Sequence, residues 1–395
     1  MAELRYEHEG MQLQLYRSFQ LYLRFAQLLS NAPCCLAREL PSNAYFKLAR
    51  CLLSASTLAW VTICGYQAIV QLIGVPMPFF TAVLYVNEVV LCIWITVQTM
   101  IRGYGEAARY NQFLERIVTV AVAVPSSDWT EALLYLRQRL NWLGIIGTIT
   151  FSTALMLDFL YFGGIYATIF TMGAYMLPNM LASMSLAQYY AGTMLIYKLQ
   201  QTINQQLRTA TRKRSKEQLE TVKHLYLQLD NCVQLITRSY ELLIVTNVFA
   251  SINVTSLQVL EIYQYVQSNE VNSIYIAYNI IWIALQLFML LMVLYPSDMI
   301  KREQILFGTI LFELSHRNEG TVDVEQIAHL RLLTLDRKRI VSTACGVLKL
   351  ELSSLSSIFV ALLSFMIILI QFDSAKLNKH YGAVTAMDSL YGSNS

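Results

Sequence analysis

Charged side chains are scarce in this sequence. Asp, Glu, Lys and Arg make up only 14% of the 395 residues, whereas hydrophobic residues make up 55% and the mean hydropathy is +0.44. Soluble domains carry about 25% charged residues. The composition therefore excludes an ordinary soluble domain and predicts an all-α, polytopic membrane protein.

The sequence also lacks the common signatures of catalysis and of metal binding. It contains no Gly-x-Ser-x-Gly, no P-loop and no dinucleotide fingerprint. Its seven cysteines include no C-x-x-C pair, and its five histidines form no ligand pair. We therefore expect no enzyme and no catalytic residues, no metal site, no cofactor and no nucleic-acid partner.

What the chain does contain is seven long apolar runs. Each is long enough to cross a hydrocarbon core of roughly 30 Å at about 1.5 Å per helical residue. They cover residues 52–74, 79–101, 141–164, 165–197, 242–265, 273–297 and 352–372. The fourth run is longer than a single span requires and holds Pro178 near its middle. Because proline removes a backbone donor, we expect a kink there.

The basic residues occupy only alternate connections between these runs. Of the 29 Lys and Arg, six precede the first run, five follow the second, eight follow the fourth and eight follow the sixth. The connections after the first, third and fifth runs hold none. Since Lys and Arg collect on the cytoplasmic side, the N-terminus is predicted inside and the C-terminus outside. The basic inner loops face an anionic leaflet, so membrane lipid is an expected partner.

The inner connections carry helical patterns of their own. The apolar stretch 117–125 is too short to span and is predicted to lie in a cytoplasmic helix, within helical extensions over 106–139. Residues 198–240 predict two further helical extensions joined by a basic turn, and 301–350 behave similarly. The outer connections are short, so a molecule sensed outside must enter a pocket among the helices.

The last run ends in a short motif. Ser364 and Phe365 are followed by five hydrophobic residues and then by Gln371 and Phe372. This ending resembles that of the insect gustatory receptors, which is Thr-Tyr, five hydrophobic residues and Gln-Phe. Ser and Phe stand here where Thr and Tyr are usual, which removes the phenol hydroxyl. Thr343–Gly346 and Leu348–Leu350 resemble the segment that precedes the family's last helix.

The resemblance implies a tastant-gated, non-selective cation channel in the plasma membrane of chemosensory neurons. Four subunits, in a homo- or hetero-tetramer with related receptors, would surround a pore lined by the last helix. Gln371 and Phe372 would lie at the extracellular gate near Ile368 and Leu369, with Ser364 and Phe365 one to two turns below. A ring of apolar side chains closes a narrow pore by dewetting.

Under this resemblance the chain divides into five parts. Residues 1–51 would form a cytoplasmic N-terminal segment, and 52–300 a six-helix ligand-sensing domain with cytoplasmic helical loops. Residues 301–351 would form anchor helices, 352–373 the pore-lining helix and 374–395 an extracellular tail.

A ligand pocket is expected among the outer halves of the third to sixth spans, which hold polar and aromatic groups for a small-molecule tastant. The candidate pocket residues are Asp158, Tyr161, Tyr166, Tyr175, Asn253, Ser256, Glu261, Tyr278, Asn279 and Trp282, with Tyr275 beside them. No basic residue lies in these outer halves, so a cationic or amine-bearing ligand would suit Asp158 and Glu261. The alternative is that both carboxylates reach water at the outer surface.

Other assignments stay open from the sequence alone. Glu88, next to Asn87 in the second span, has either an ion-binding or a structural role, and Tyr263 and Tyr265 fit an interfacial aromatic belt. Two other functional classes also remain: a seven-helix receptor that signals through a cytosolic partner without conducting, and a small-molecule transporter. The absence of an internal repeat disfavours the transporter.

Overall fold

The computed structural model describes residues 2–32, 44–73, 79–162, 164–213, 216–267, 273–317 and 343–371. These residues are almost entirely helical, which confirms the predicted all-α fold class. In chain order the helices are α1 (Ala2–Leu28), α2 (Ala44–Ile73), α3 (Phe79–Gly105), α4 (Ala107–Val122), α5 (Ser126–Phe162), α6 (Ile165–Thr171), α7 (Leu177–Lys213), α8 (Lys216–Gln267), α9 (Ser273–Arg317) and α10 (Ser354–Gln371).

Six of the seven apolar runs correspond to single helices. Within the described ranges, α2, α3, α5, α8, α9 and α10 are the six helices that are long and apolar enough to cross a membrane. The fourth run instead continues from α6 through a π-helical segment, Met172–Met176, into α7. The predicted irregularity is therefore present, but it lies in the turns before Pro178, and Pro178 itself occupies the second position of α7.

The inner helices largely follow the sequence prediction. Residues 117–122 lie in α4, where Ile117 and Val120 are fully buried. One detail differs, because α4 is a separate helix and not an extension of α3. The backbone at Glu106 leaves the helical conformation, with φ −90° and ψ 12°, which ends the hydrogen-bond ladder of α3. The extension before the third span is continuous with it in α5.

The main hydrophobic core lies among α4, α5, α7, α8 and α9. Helix α7 packs against both α8 and α9, and α8 packs against α9. Tyr226 of α8 and Phe307 of α9 stack with ring centroids 4.1 Å apart and planes 9° from parallel. The long apolar stripes predicted over 198–240 thus pack against the inner part of α9.

A small β-hairpin precedes the last helix. Thr343–Ala344 (β1) pairs antiparallel with Leu348–Lys349 (β2). Cys345 and Gly346 have φ values of 51° and 68°, the left-handed conformation that a tight hairpin turn requires. This hairpin replaces the helix that the pattern over 301–350 predicts for these residues. Glu241 of α8 accepts a hydrogen bond from the Cys345 amide, and Lys301 of α9 forms a 2.6 Å ion pair with Glu351.

Candidate ligand cavity and last helix

A cavity of about 520 Å³ lies among the ends of the helices that are predicted to face outside. Six helices and the π segment contribute to its wall, which is mostly aromatic and aliphatic. The lining residues are Ala68, Gln71, Leu72, Tyr85, Glu88, Tyr161, Tyr166, Ala167, Phe170, Thr171, Ala174, Tyr175, Gln258, Glu261, Tyr275, Tyr278 and Trp282. Cavities of roughly 300–1,000 Å³ with such walls hold small molecules.

The π segment shapes one side of this cavity. A Cβ atom on Gly173 would lie 2.5 Å from the Cys64 sulfur atom and 2.6 Å from Trp60 Nε1, so glycine leaves room for these two side chains of α2. Ala174 and Tyr175 of the π segment lie on the cavity wall.

Two carboxylates line the cavity. Glu261 of α8 is 8% exposed, and its Oε2 atom accepts a 2.8 Å hydrogen bond from the Tyr275 hydroxyl. Glu88 of α3 is 5% exposed and makes no hydrogen bond or ion pair with any residue that the structure describes. The lining residues include no Lys, Arg or His. The wall therefore carries two acidic side chains and no basic one.

Aromatic rings surround these carboxylates. Tyr161 stacks on Tyr275 with centroids 4.7 Å apart, and Tyr265 contacts the same ring at 4.8 Å. Tyr278 meets Trp282 edge to face at 6.3 Å. Tyr265, expected in an interfacial belt, thus supports the ring that hydrogen-bonds Glu261.

Six of the ten candidate pocket residues lie on the cavity wall: Tyr161, Tyr166, Tyr175, Glu261, Tyr278 and Trp282. The other four do not line it. Asn253 donates to the Leu84 carbonyl at 3.0 Å and accepts from Asn87 at 2.8 Å, so it joins α8 to α3. The Ser256 hydroxyl donates to the Ile252 carbonyl of its own helix.

Asp158 and Asn279 are the two remaining candidates. Asp158 is fully buried, which is contrary to the alternative of a water-exposed carboxylate, and its oxygens make no hydrogen bond of normal geometry within the described residues. The hydroxyls of Thr168, Thr171 and Tyr278 lie nearby. Asn279 is also fully buried, next to Tyr275. Both residues lie behind the wall and not on it.

The cavity also includes residues outside the outer halves that the sequence pointed to. Ala68, Gln71 and Leu72 come from α2, and Tyr85 comes from α3, one helical turn before Glu88. The sequence could have indicated Tyr85, because it precedes Glu88 by three residues and both side chains therefore lie on one face of α3.

The last helix has one packed face and one free face. Leu362, Met366 and Leu369 are buried against Leu84 of α3 and against Leu257 and Leu260 of α8. The opposite face exposes Val360, Leu363 and Ile367 at 63%, 59% and 56%. Among the gate candidates, Leu369 is buried, whereas Ser364, Phe365, Ile368 and Gln371 are exposed. Phe372 lies outside the described residues.

Comparison with known proteins identifies relatives of this chain. The model of the 7tm chemosensory receptor family matches residues 19–376. A protein of Drosophila melanogaster named as gustatory receptor 59f is 24% identical over 217 residues, which are 53% of this chain and 52% of that protein. The match thus spans about half the length of this curated relative.

Solved structures of the insect olfactory receptor OR5 from Machilis hrabei share the fold. One superposes with a TM-score of 0.64 and another, in complex with eugenol, with a TM-score of 0.59. Each is 10% identical and covers 93% of this chain and 100% of the receptor chain. Because the family model covers most of the sequence, this multi-pass membrane protein belongs to the 7tm chemosensory receptor family, a family of receptors and not of enzymes.

Proposed function

We propose that this chain is a gustatory, contact-chemosensory receptor that acts as a tastant-gated, non-selective cation channel in the plasma membrane of chemosensory neurons. It would assemble as a homo- or hetero-tetramer with related receptors. The ending at Gln371 and Phe372 supports the gustatory assignment, as does the similarity to the Drosophila relative. The Machilis receptor, which has the same fold, binds the small molecule eugenol.

The observation that carries the proposal is a direct mechanical connection between the cavity and the last helix. Tyr85 and Glu88 line the cavity from α3, and the adjoining Leu84 packs on α10. On α8, the lining residue Glu261 is likewise preceded by Leu260, which also packs on α10. A ligand that moves α3 or α8 therefore displaces α10 through side chains already in contact.

The free face of α10 supports the proposed pore. Its exposed Val360, Leu363 and Ile367 have no partner among the described residues of one subunit, which leaves them available to neighbouring subunits. In a tetramer, Ile368 and Gln371 would lie near the outer end of the pore, with Phe372 directly after them. Closure there would work by dewetting, and exposure of the Gln371 amides would rehydrate the pore.

Gating under this proposal is a shift between two populations. A ligand opens the channel only to the extent that it binds the open state more tightly than the closed state. In the assignment proposed here, residues 52–300 sense the ligand, 301–351 anchor the subunits and 352–373 line the pore. Helices α3 and α8 connect the first part to the last.

Whole-cell recording from cells that express this chain tests the proposal. Wild type and Phe372→Ala are compared during application of a tastant panel, with surface expression quantified in parallel. We expect ligand-evoked or constitutive cation current, enlarged by Phe372→Ala because the smaller side chain weakens the apolar ring. A surface-expressed chain that stays silent in both forms, and also when co-expressed with related receptors, would contradict conduction.

A further inference from the structure

The side chains on the cavity wall indicate which kind of ligand the cavity accepts, and the most informative of them is Glu88. This side chain is 95% removed from solvent and lines the cavity, yet it has no hydrogen bond or ion pair within the described part of the chain. A buried carboxylate without a partner is costly, and ionisable groups within spans are normally paired or functional. Glu88 is thus placed to bind a group that enters the cavity.

A second carboxylate, that of Glu261, lines the same cavity as Glu88. Glu261 accepts a hydrogen bond from Tyr275 through one of its oxygens. No lining residue is basic, so nothing in the wall neutralises the two carboxylates. An anionic ligand would meet repulsion here, and a neutral ligand would supply no positive charge to balance the two carboxylates.

The aromatic wall indicates what kind of cation fits. Tyr85, Tyr175, Tyr278 and Trp282 line the cavity together with the two carboxylates. Ammonium groups are attracted to the faces of Tyr and Trp rings. A bare metal ion requires several oxygen, nitrogen or sulfur ligands. The described residues contain no cluster of three or more His, Cys, Asp or Glu.

We propose that the ligand is a small organic cation, a protonated amine attached to an apolar body. Its ammonium group pairs with Glu88, and its apolar part lies against the tyrosines and Trp282. Glu261, held by Tyr275, contributes the second negative charge. This inference rests on the proposed use of the cavity as the ligand site and specifies the chemistry of what that site accepts.

The test is a binding measurement that does not depend on conduction. The full chain is purified in lipid nanodiscs, and its thermal midpoint is measured against 2-phenylethylamine and against its neutral analogue 2-phenylethanol. A ligand that binds only the folded state raises the midpoint in proportion to its saturation. At pH 7 the amine is protonated, since aliphatic amines have pKa values of about 10. We expect at least about tenfold tighter binding of the amine, because only the amine pairs with Glu88.

Matched variants locate the effect. Glu88→Gln keeps the shape but removes the charge, and it should weaken amine binding at least about tenfold without changing alcohol binding. Glu115→Gln removes an exposed charge of α4 and should change neither. If Glu88→Gln lowers the unliganded midpoint so far that binding cannot be measured, Glu261→Gln provides the second test, with the same direction and a smaller loss.

The two proposals fail differently. Equal binding of amine and alcohol, no amine binding at all, or an unchanged amine affinity in Glu88→Gln would overturn the cation assignment, even if the chain conducts in response to neutral tastants. Amine binding that is lost in Glu88→Gln, in a chain that never conducts, would support the cation assignment and contradict the channel.

Discussion

Gly173 of the π segment lies directly against the side chains of Trp60 and Cys64 on α2. The Cys64 sulfur atom and the Trp60 indole nitrogen both lie within 2.6 Å of where its Cβ atom would be. A Cβ atom at this position would require the Cys64 and Trp60 side chains to shift, and the π segment itself carries Ala174 and Tyr175 of the cavity wall.

Gly173→Ala should therefore lower the free energy of unfolding by about 1–3 kcal/mol, the usual cost of overpacking. Gly147→Ala is the matched control, because no atom lies within 4 Å of its added Cβ. Thermal midpoints of both variants in nanodiscs provide the measurement. Equal midpoints for the two variants would show that the close approach at Gly173 is not needed.

At the residue scale, the sequence identifies polar and aromatic residues that could line a pocket, but it does not predict which way their side chains face. It identifies Tyr161, Tyr175, Glu261, Tyr278 and Trp282, because polar and aromatic groups in outer halves are unusual enough to be noticed. It cannot distinguish them from Asp158, Asn253, Ser256 and Asn279, which have the same depth along their helices but face other helices. Which way a side chain faces depends on the rotation of each helix, and helices that are apolar all round carry no stripe that reports this rotation.

At the scale of elements, the contact between α8 and α9 holds the inner part of the molecule together. Phe307 is fully buried and stacks on Tyr226, whereas Phe312, slightly further along α9, is 50% exposed. Phe307→Ala should destabilise the protein by about 3–5 kcal/mol. Phe312→Ala should cost much less, and similar losses for both variants in thermal denaturation would contradict the assigned packing.

The hairpin before α10 provides a second element-scale prediction. Lys301 donates to Glu351 and thereby lowers the pKa of that carboxyl below its usual range. Because the folded-state pKa is lowered, the stabilisation is complete above the ordinary pKa of a glutamate and is lost as the pH falls through the lowered pKa.

Both side chains are partly exposed, so the ion pair contributes only about 0.2–1 kcal/mol. Glu351→Gln should lower the thermal midpoint slightly at pH 7 and lose this difference from wild type under acid conditions. Disruption of Asp298–Arg302, an ion pair within α9, is the control, since it should not loosen the hairpin. A difference for Glu351→Gln that grows in acid would contradict the assigned sign.

Helix existence and order were predictable from the sequence, because long apolar runs and alternate basic connections are strong signals. The separate helix α4, the π segment and the β-hairpin were not. Each depends on a local backbone departure, at Glu106, at Met172–Met176 and at Cys345–Gly346, which hydrophobic periodicity does not report. Two residue types carried a partial signal: Pro178 predicted an irregularity in the fourth run but not its π-helical form, and the glycine at 346 is typical of a tight turn.

At the scale of the whole molecule, the distribution of basic residues predicts the orientation in the membrane. Exposed Cys51 and Cys345 lie on the side predicted to be cytoplasmic, and Ser273 at the start of α9 is exposed on the opposite side. A membrane-impermeant maleimide should not label wild type in intact cells, but should label it after permeabilisation. Ser273→Cys should add labelling in intact cells. Labelling of intact wild type would contradict the N-in orientation.

The central claim is that occupancy of the outer cavity moves α10 through α3 and α8. Concentration–response recordings on Trp282→Ala and Ile368→Ala test it most directly, with any compound that evokes current. We predict that Trp282→Ala raises the half-maximal concentration about tenfold or more with little change in unliganded current, because Trp282 lines the cavity. Ile368→Ala, exposed on α10, should instead change the unliganded current. An unchanged half-maximal concentration in Trp282→Ala, or an unliganded current that Ile368→Ala does not alter, would contradict the account.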